Sequence, residues 1–194
     1  MTVGFIGGKF LPLHMGHAYA IIMASTMVDK LYAVLSYSSM RDRELCGRDG
    51  CRYITPELRL SWLKELTRGM SHIECIAIED TYGNEDYDWG EGARQIKERI
   101  GTHIDYVFGS EKGYEEVFRR NYPDSEYVLI DPGRERFPIS ATEIRRDPYS
   151  HWEMLPEFVR PFFAKKVVIV GTESCGKSTL AAELARLYNT SLVE

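Results

Sequence analysis

The sequence has few cysteines and no long hydrophobic run. The cysteines are Cys46, Cys51, Cys75 and Cys175. Cys46 and Cys51 are separated by four residues, but no second close pair or histidine cluster completes a zinc site. The sequence therefore predicts reduced thiols in a cytoplasmic protein. No apolar run approaches the ~18–20 residues of a membrane span, and the N-terminus does not resemble a signal peptide, so no membrane partner is predicted.

An excess of basic residues is also missing. The chain has 24 Lys and Arg against 29 Asp and Glu, for a net charge of −5. This balance provides no global basic field, so no nucleic-acid partner is predicted, although a local basic pocket can still hold phosphates. A hydrophobic fraction of 44% and an aromatic fraction of 12% exclude a disordered chain. The 194 residues predict one domain of about 150 residues and part of a second.

Short apolar runs alternate with amphipathic stretches along the chain. The predicted strands are Val3–Gly7, Leu31–Ser36, Ile73–Ile78, Tyr106–Gly109 and Tyr127–Ile130. The predicted helices are Ala18–Val28, one beginning at Thr55-Pro56, Gly92–Ile100 and Tyr114–Asn121. This alternation predicts an α/β fold with a Rossmann-like, doubly wound parallel sheet. Such sheets bind ligands at the carboxyl ends of their strands.

Two polar stretches, 37–54 and 80–88, are predicted to be irregular. Both follow strands, on the side of the sheet where the binding site is expected. The first stretch carries Arg41, Arg43, Arg48 and Arg52. We interpret it either as a solvated loop or as a lid that faces phosphate groups.

A first motif follows the first predicted strand, in the segment Gly7–His17. Gly8 allows the backbone to approach a ligand closely. His14 and His17 are expected on one face at the start of a helix, beside unsatisfied N–H groups and a partial positive charge. Lys9 adds a positive charge. These features predict a polyphosphate site, and the alternative is an ordinary turn with incidental histidines.

A second motif lies far downstream, around a predicted helix start. Ser140 and Glu143 have the spacing of a capping box. Thr142 falls in the first turn, and Arg145 lies one turn later, where its planar donors can return to the same anion. The alternative is a capped helix with a surface arginine.

A third motif follows the predicted strand Val167–Val170 and precedes the predicted helix Thr179–Tyr188. It has the P-loop pattern GxxxxGKS, matched by Gly171, Gly176, Lys177 and Ser178. In a P-loop, backbone N–H groups hold phosphates, the lysine reaches the β and γ oxygens, and the serine ligates magnesium. The sequence after residue 166 accounts for one strand and one helix, so we do not expect this P-loop to be catalytic here.

The first motif resembles the GxFxPxHxGH signature of the nucleotidyltransferase superfamily of adenylyl- and cytidylyltransferases. The matching positions are Gly8, Phe10, Pro12, His14, Gly16 and His17. This resemblance implies the nucleotidyltransferase fold, with ATP phosphates on the motif and both histidines on the transferring α-phosphate. The second motif resembles the superfamily element ISxTxxR, which holds the β- and γ-phosphates.

The order of the motifs resembles the bifunctional bacterial nicotinamide-mononucleotide adenylyltransferase/ribosylnicotinamide kinase family. This resemblance implies a nucleotidyltransferase domain at 1–147, a helical linker at 148–166 and the opening β-α unit of a P-loop kinase domain at 167–194. The chain departs from the family because it lacks the N-terminal helix-turn-helix of some members and has only the opening of the kinase domain. Kinase activity and transcriptional repression are therefore in doubt.

The family resemblance implies transfer of AMP from ATP to nicotinamide mononucleotide, giving NAD and pyrophosphate, with Mg²⁺ bound to ATP as cofactor. The implied catalytic residues are Lys9, His14, His17 and Arg145. The implied ATP contacts are Gly8, Phe10, Gly16, Gly109, Ser110, Ser140 and Thr142. Trp89 either stacks on the nicotinamide ring or packs at the start of a helix. No residue is assigned as a metal ligand.

Other functions stay open. The same chemistry on another phosphorylated acceptor is the nearest alternative. A P-loop ribosylnicotinamide kinase or nucleotide-binding regulator is an alternative of another class, and the P-loop unit is otherwise a structural remnant. Since transferases of this superfamily are often oligomeric, a homo-oligomer is expected.

Overall fold

The computed structural model describes residues 1–83, 86–188 and 190–193, and it divides into unit 1 (Met1–Phe163) and unit 2 (Ala164–Glu194). The strands of unit 1 are β1 (Val3–Gly8), β2 (Lys30–Tyr37), β3 (Ile73–Glu79), β4 (Tyr82–Gly83), β5 (Asp86–Tyr87), β6 (Tyr106–Gly109) and β7 (Glu126–Leu129). Its α-helices are α1 (Met15–Ser25), α2 (Ser39–Arg48), α3 (Pro56–Leu66), α4 (Trp89–Ile100), α5 (Glu115–Asn121), α6 (Ala141–Arg146) and α7 (Arg160–Phe163). Unit 2 contains α8 (Lys177–Leu187).

The predicted parallel sheet is confirmed. Five strands pair in the order β3-β2-β1-β6-β7, and each neighbouring pair is parallel. The chain builds the sheet outward from β1 to β3 and then crosses to the other side of β1 to add β6 and β7. This reversal leaves a crevice beyond the carboxyl ends of β1 and β6, where such sheets bind ligands.

Helices cover both faces of the sheet. Successive side chains of β1 point to opposite faces, so Ile6 joins a core with side chains from α1, α3 and α6. Phe5 joins a second core with side chains from α4 and α5. Both residues are at most 5% exposed. Burial on both faces explains why the strands are continuous apolar runs rather than alternating ones.

Two helices begin three residues earlier than predicted, because side chains cap their first turns. The Nδ1 atom of His14 accepts the backbone N–H of Gly16, so α1 begins at Met15. The carboxylate of Asp88 accepts the backbone N–H of Glu91 at 3.0 Å, so α4 begins at Trp89. Aspartate is a common cap, whereas a histidine cap has no equally clear sequence signature.

The prediction that 37–54 is irregular is wrong. Residues Ser39–Arg48 form α2, whose first turn is capped by Ser38. The arginines of this stretch contact protein groups: the Arg52 side chain donates to the Phe162 carbonyl at 2.7 Å, and the Arg43 guanidinium lies 4.4 Å from the centre of the Tyr53 ring. The helix escaped prediction because its sequence is mostly polar and lacks the apolar periodicity of an amphipathic helix.

The stretch 80–88 is also more regular than predicted. Tyr82–Gly83 pairs antiparallel with Asp86–Tyr87. Asn84 and Glu85 lie outside the described residues.

Residues 148–163 belong to unit 1, although the sequence assigned them to a helical linker. Leu155 and Val159 are at most 1% exposed and Phe163 is 9% exposed, and all three pack into the core beneath β1. The Tyr149 hydroxyl donates to the Phe163 carbonyl at 2.9 Å. The segment therefore closes the core of unit 1.

The prediction of a strand at Val167–Val170 is wrong. Among the described residues of unit 2, this segment pairs with no other strand, and Val167, Val168 and Val170 are 80–83% exposed. A strand is defined by its ladder of hydrogen bonds, so an apolar run without a partner remains irregular. Helix α8 does form, since its hydrogen bonds lie within one segment.

No helix within the described ranges is long and apolar enough to cross a bilayer.

Candidate active site

A pocket of about 430 Å³ lies in unit 1 at the carboxyl ends of β1 and β6. Its lining includes Gly8 and Lys9 after β1, and Gly109 and Ser110 after β6. The ring of His17 also lines it. The pocket therefore occupies the crevice that the strand order creates.

The two histidines of the first motif form a stacked pair at the start of α1. Their ring centres are 3.7 Å apart and their planes are 26° from parallel. The Phe10 ring meets the His17 ring edge-on at 5.1 Å. A Cβ atom on Gly16 would lie 3.1 Å from the His14 ring, so the glycine leaves room for the capping imidazole. The spacing of the motif thus produces the shared face that the sequence predicts.

The protein surroundings favour the neutral form of both imidazoles. Desolvation, followed by the positive charge of Arg134, lowers the pKa of His14 from 6.5 to about 3. Desolvation, with smaller effects of His14 and Arg134, lowers the pKa of His17 well below 6.5, and the Pro12 backbone weakly opposes this. His17 keeps some surface exposure, but its Nδ1 atom is buried and makes no hydrogen bond to a described residue. A neutral imidazole offers one N–H donor, which suits a phosphate oxygen.

Lys9 is held at the edge of the pocket by two carboxylates. Its Nζ atom lies 3.2 Å from Asp42 and 2.9 Å from Asp80. Arg59, which is fully buried, donates to the Lys9 carbonyl at 2.8 Å and to Asp42 at 2.7 Å. Asp80 also accepts the Ser36 hydroxyl. The lysine charge is therefore compensated here, by residues that carry no motif and that sequence reasoning missed.

Arg145 does not line the pocket, although the resemblance implies a phosphate contact. Its Nε and Nη2 atoms donate to Asp49 at 2.9 and 2.7 Å. Its other contacts are the Leu11 carbonyl at 2.6 Å and the Thr142 hydroxyl at 3.0 Å. The side chain is 6% exposed. In this structure Arg145 joins α6 to the end of α2 and to the turn after β1, so it positions the second motif.

Ser140 and Thr142 also lie outside the pocket lining. Ser140 makes the predicted capping box, since its Oγ accepts the Glu143 N–H at 3.2 Å while the Glu143 carboxylate accepts the Ser140 N–H at 2.8 Å. The Phe137 ring lies 5.9 Å from the Tyr19 ring of α1. The second motif is therefore adjacent to the first motif, with its polar groups engaged by protein atoms.

Gly109 has a packing reason in addition to its place at the pocket. A Cβ atom there would collide with the Tyr127 hydroxyl, which donates to the Glu111 carbonyl at 3.0 Å. Gly8 is similar, because a Cβ atom would lie 3.1 Å from the Phe10 ring. Close packing accounts for both glycines, and the same lack of a side chain lets the backbone line the pocket.

Trp89 lines the pocket and also packs against other aromatic rings, and its implied stacking on nicotinamide stays a prediction. Its ring centre is 4.8 Å from Tyr87, 5.1 Å from Tyr114 and 5.7 Å from Phe118. These rings form the aromatic wall of the pocket, defined by Tyr87, Trp89, Tyr114 and Phe118. The carboxylate-bearing residues Asp80 and Glu111 line the same pocket.

Arg134 is a second cation near the histidines that sequence reasoning did not assign. Its charge acts on both imidazoles, and its guanidinium lies 3.4 Å from Glu111 in an exposed ion pair. The residue follows β7 in the stretch Asp131–Arg134, where Asp131 accepts two backbone N–H groups of the turn. The position of Arg134 after the end of a strand was the sequence signal that could have identified it.

The pocket suits phosphate better than a metal held by protein. Within the described parts of the chain, no group of three or more His, Cys, Asp or Glu is placed to hold a metal ion. The groups present are imidazoles, cations and backbone near a helix N-terminus, which bind phosphate oxygens.

The P-loop of unit 2 adopts a turn centred on its own lysine. Gly176 has φ +82° and Ser174 has φ +58°. The Lys177 Nζ atom donates to the Thr172 carbonyl and lies 3.7 Å from the Cys175 sulfur. The left-handed conformations of Ser174 and Gly176 are of the kind from which successive backbone N–H groups form an anion-binding nest.

Two comparisons concern known families and curated relatives. A family model described as an AAA domain matches residues 166–194. The trifunctional NAD biosynthesis/regulator protein NadR of Escherichia coli (strain K12) is 35% identical over 197 residues, which cover 98% of this chain and 47% of the relative. The protein of the same description from Salmonella typhimurium (strain LT2) matches equally in identity and coverage. The chain thus spans about half the length of the curated relatives it matches.

Solved structures give a consistent comparison. A NadR protein in complex with NAD and AMP-PNP has a TM-score of 0.77 and 26% identity, and the match covers 97% of this chain and 54% of that one. A NadR protein in complex with NR has a TM-score of 0.75 and 27% identity, covering 95% and 51%. A bifunctional NMN adenylyltransferase/ADP ribose pyrophosphatase from Francisella tularensis, at 14% identity and a TM-score of 0.52, shares the fold alone, covering 99% and 57%. In both sequence and fold, nearly the whole of this chain is similar to NadR proteins.

Proposed function

We propose that unit 1 is a nucleotidyltransferase that transfers AMP from ATP to nicotinamide mononucleotide, giving NAD and pyrophosphate. The observation that carries this proposal is the stacked, neutral pair His14 and His17 at the start of α1, beside the pocket at the sheet reversal. The resemblance of NadR proteins in sequence and in structures with NAD and AMP-PNP supports the same chemistry.

The proposed reaction is a direct displacement at phosphorus. A phosphate oxygen of nicotinamide mononucleotide attacks the α-phosphorus of ATP, and the bond to the pyrophosphate oxygen breaks. Catalysis then requires alignment and neutralisation of charge rather than a covalent intermediate. His14 and His17 donate hydrogen bonds to α-phosphate oxygens, and bound phosphate stabilises their protonated forms. Lys9 lies at the edge of the pocket, where a bound phosphate competes with Asp42 and Asp80 for its charge, and the charge of Arg134 acts on the two imidazoles.

The aromatic wall fits the acceptor. A cationic pyridinium ring gains about 0.5–2 kcal/mol over an aromatic face. We therefore expect Trp89→Ala to raise the Michaelis constant for nicotinamide mononucleotide by ~2- to 30-fold, with a smaller change for ATP. Steady-state kinetics with each substrate varied in turn measures this. An unchanged constant for the acceptor would remove Trp89 from the binding site.

The central test is a product assay on the purified full chain with ATP, magnesium and nicotinamide mononucleotide. NAD and pyrophosphate are expected in equal amounts, well above the level made by His17→Ala. Parallel reactions with flavin mononucleotide, phosphopantetheine and an alcohol phosphate with CTP identify the acceptor. Absence of NAD above the His17→Ala level rejects the proposal, and turnover of another acceptor keeps only the reaction class.

A second candidate function concerns unit 2, because the AAA-domain match covers its P-loop. We propose that this loop binds the phosphates of a nucleotide, with the Lys177 side chain moving from the Thr172 carbonyl to the phosphate oxygens. Equilibrium dialysis with ATP tests this, since Lys177→Ala should remove one binding site while NAD formation persists. Phosphorylation of nicotinamide riboside by the chain would extend the role of the P-loop to a kinase. Equal ATP binding by the native chain and by Lys177→Ala would exclude nucleotide binding at the P-loop.

A further inference from the structure

Cys46 and Cys51 stand at the carboxyl end of α2, and neither lines the pocket. The Cys51 N–H donates to the Cys46 carbonyl at 2.8 Å, and the Gly50 N–H donates to the Gly47 carbonyl at 3.1 Å. Gly50 has φ +72°. These two bonds and the left-handed glycine define a Schellman motif.

A Schellman motif brings two particular side chains together. The residue third from the end of the helix contacts the second residue beyond the cap, and here both positions are cysteine. Cys46 is 1% exposed in the core of unit 1, while the half-buried Cys51 packs against the same core. The backbone thus places one thiol inside and its partner beside it nearer the surface, where the Cys51 sulfur also donates to the Arg52 carbonyl at 3.2 Å.

The surroundings favour a thiolate at the inner position. A hydrogen bond from the Cys51 thiol lowers the pKa of Cys46 to about 6, against the opposing effect of burial. The Ile54 backbone N–H and the charges of Arg145 and Arg59 lower it further. The same shared proton, together with desolvation, raises the pKa of Cys51. One proton is therefore shared between the buried Cys46 sulfur and the Cys51 sulfur that solvent reaches.

We propose that Cys46 and Cys51 form a redox-active dithiol that a peroxide converts into an intramolecular disulfide. The Cys51 sulfur attacks a peroxide oxygen as its proton passes to the Cys46 thiolate, the O–O bond breaks, and Cys51 becomes a sulfenic acid while hydroxide leaves. Hydroxide takes the proton from Cys46, whose sulfur then displaces hydroxide from Cys51. One thiol, one thiolate and one hydrogen peroxide give one disulfide, one water and one hydroxide, which a solvent proton converts into a second water.

The other cysteines provide internal references. Burial raises the pKa of Cys75, whose sulfur lies 3.4 Å from the Thr67 hydroxyl. Cys175 is exposed in unit 2. A generally oxidising treatment attacks exposed Cys175 first, whereas a dithiol reacts ahead of it.

The test exposes the reduced full chain to graded hydrogen peroxide, then blocks free thiols at acid pH and maps tryptic peptides. Trypsin cuts after Arg48 and Arg52, so the two cysteines fall in the separate peptides 44–48 and 49–52. The expected product joins these peptides with the loss of two hydrogens, appears before Cys175 is oxidised, and disappears on treatment with dithiothreitol. Peptides that stay separately blocked while Cys175 oxidises would overturn the proposal.

Two variants check the order of the steps with a sulfenic-acid trap. In Cys46→Ser, Cys51 should form the sulfenic acid several-fold more slowly because the thiolate that accepts its proton is absent, and the sulfenic acid should persist for trapping because the resolving thiol is absent. In Cys51→Ser, the buried Cys46 should be trapped at a level below that of Cys175. Rapid trapping of Cys46 in Cys51→Ser would contradict the assigned roles. Both variants keep a small polar side chain at the substituted position. The peptide map of the native chain tests the proposal independently of whether either variant folds.

Discussion

Unit 1 and unit 2 each contain a glycine-containing loop that leads into a helix and has the chemistry of phosphate binding. In unit 1 the loop follows β1, which is hydrogen-bonded to a strand on each side. In unit 2 the equivalent apolar run Val167–Val170 is exposed and makes no ladder with a described residue. The two loops share glycines and a following helix, and they differ in the strands that surround them.

The difference shows which part of a phosphate site is local. The P-loop curls around Lys177 and places Gly176 in the left-handed region although no described residue of unit 2 belongs to a sheet, because those preferences belong to the residues themselves. The pocket of unit 1, in contrast, draws its lining from the ends of several strands. A parallel sheet assembles those distant residues at one edge, and that is how aromatic rings and imidazoles meet.

The largest expected effect tests whether buried ion pairs stabilise unit 1 in a way that unit 2 lacks. Arg145→Leu leaves Asp49 buried without its main partner, which should cost about 3–5 kcal/mol of unfolding free energy. Arg186→Leu removes an exposed pair with Glu183 in α8 and should leave that free energy unchanged. Urea unfolding followed by tryptophan fluorescence measures unit 1, since Trp62, Trp89 and Trp152 all lie there. Similar losses in both variants would contradict the comparison.

The next effect separates the two loops by activity. His17→Ala should slow NAD formation by ~10²–10³-fold, as expected for the loss of one pre-organised donor. Lys177→Ala should leave the same rate unchanged, because unit 1 supplies the proposed transfer site. His103→Ala, an exposed histidine, is the matched control. A large loss of NAD formation in Lys177→Ala would move essential phosphate contacts to unit 2.

The smallest effect concerns acid. Folding lowers the pKa of His14 from 6.5 to about 3. Between these two pH values the unfolded state binds a proton at His14 that the folded state does not bind. The corresponding stability is complete above pH 6.5 and is lost as the pH falls toward 3. Unit 2 contains no histidine, so this histidine contribution to the free energy of unfolding belongs to unit 1.

His14→Asn isolates this dependence, because asparagine keeps a capping oxygen but does not titrate. Urea unfolding at several pH values should show a shallower acid slope for the variant than for the native chain. Equal slopes would mean that other groups account for the acid sensitivity of unit 1.

Features with local causes were predictable. The five strands of the sheet match their predicted bounds within one residue, because strands buried on both faces are apolar throughout. The capping box of Ser140 and Glu143 formed as its spacing predicts. The helix α2 was missed because it is polar, and the early start of α1 was missed because His14 is an uncommon cap.

The long-range contacts of the site were not predictable. Asp42 meets Arg59 across 17 positions, and Asp49 meets Arg145 across 96. Nothing in either pattern of residues marks such a pair, since ion pairs of this kind depend on how α2 packs against other elements. The same packing gives Arg145 a buried ion pair with Asp49, and its implied phosphate contact stays a prediction.

By itself, the sequence determined the parallel sheet, the order of its elements and the face shared by His14 and His17, because apolar periodicity and residue spacing act within one element. Only the tertiary structure decided which charges are compensated and which side chains line the pocket. Those outcomes depend on desolvation and on distances between segments far apart in the chain. The hydrogen bond that the Arg59 side chain donates to the Lys9 carbonyl is an example. Val167–Val170 makes the same point from the opposite side, because an apolar run becomes a strand only when another strand pairs with it.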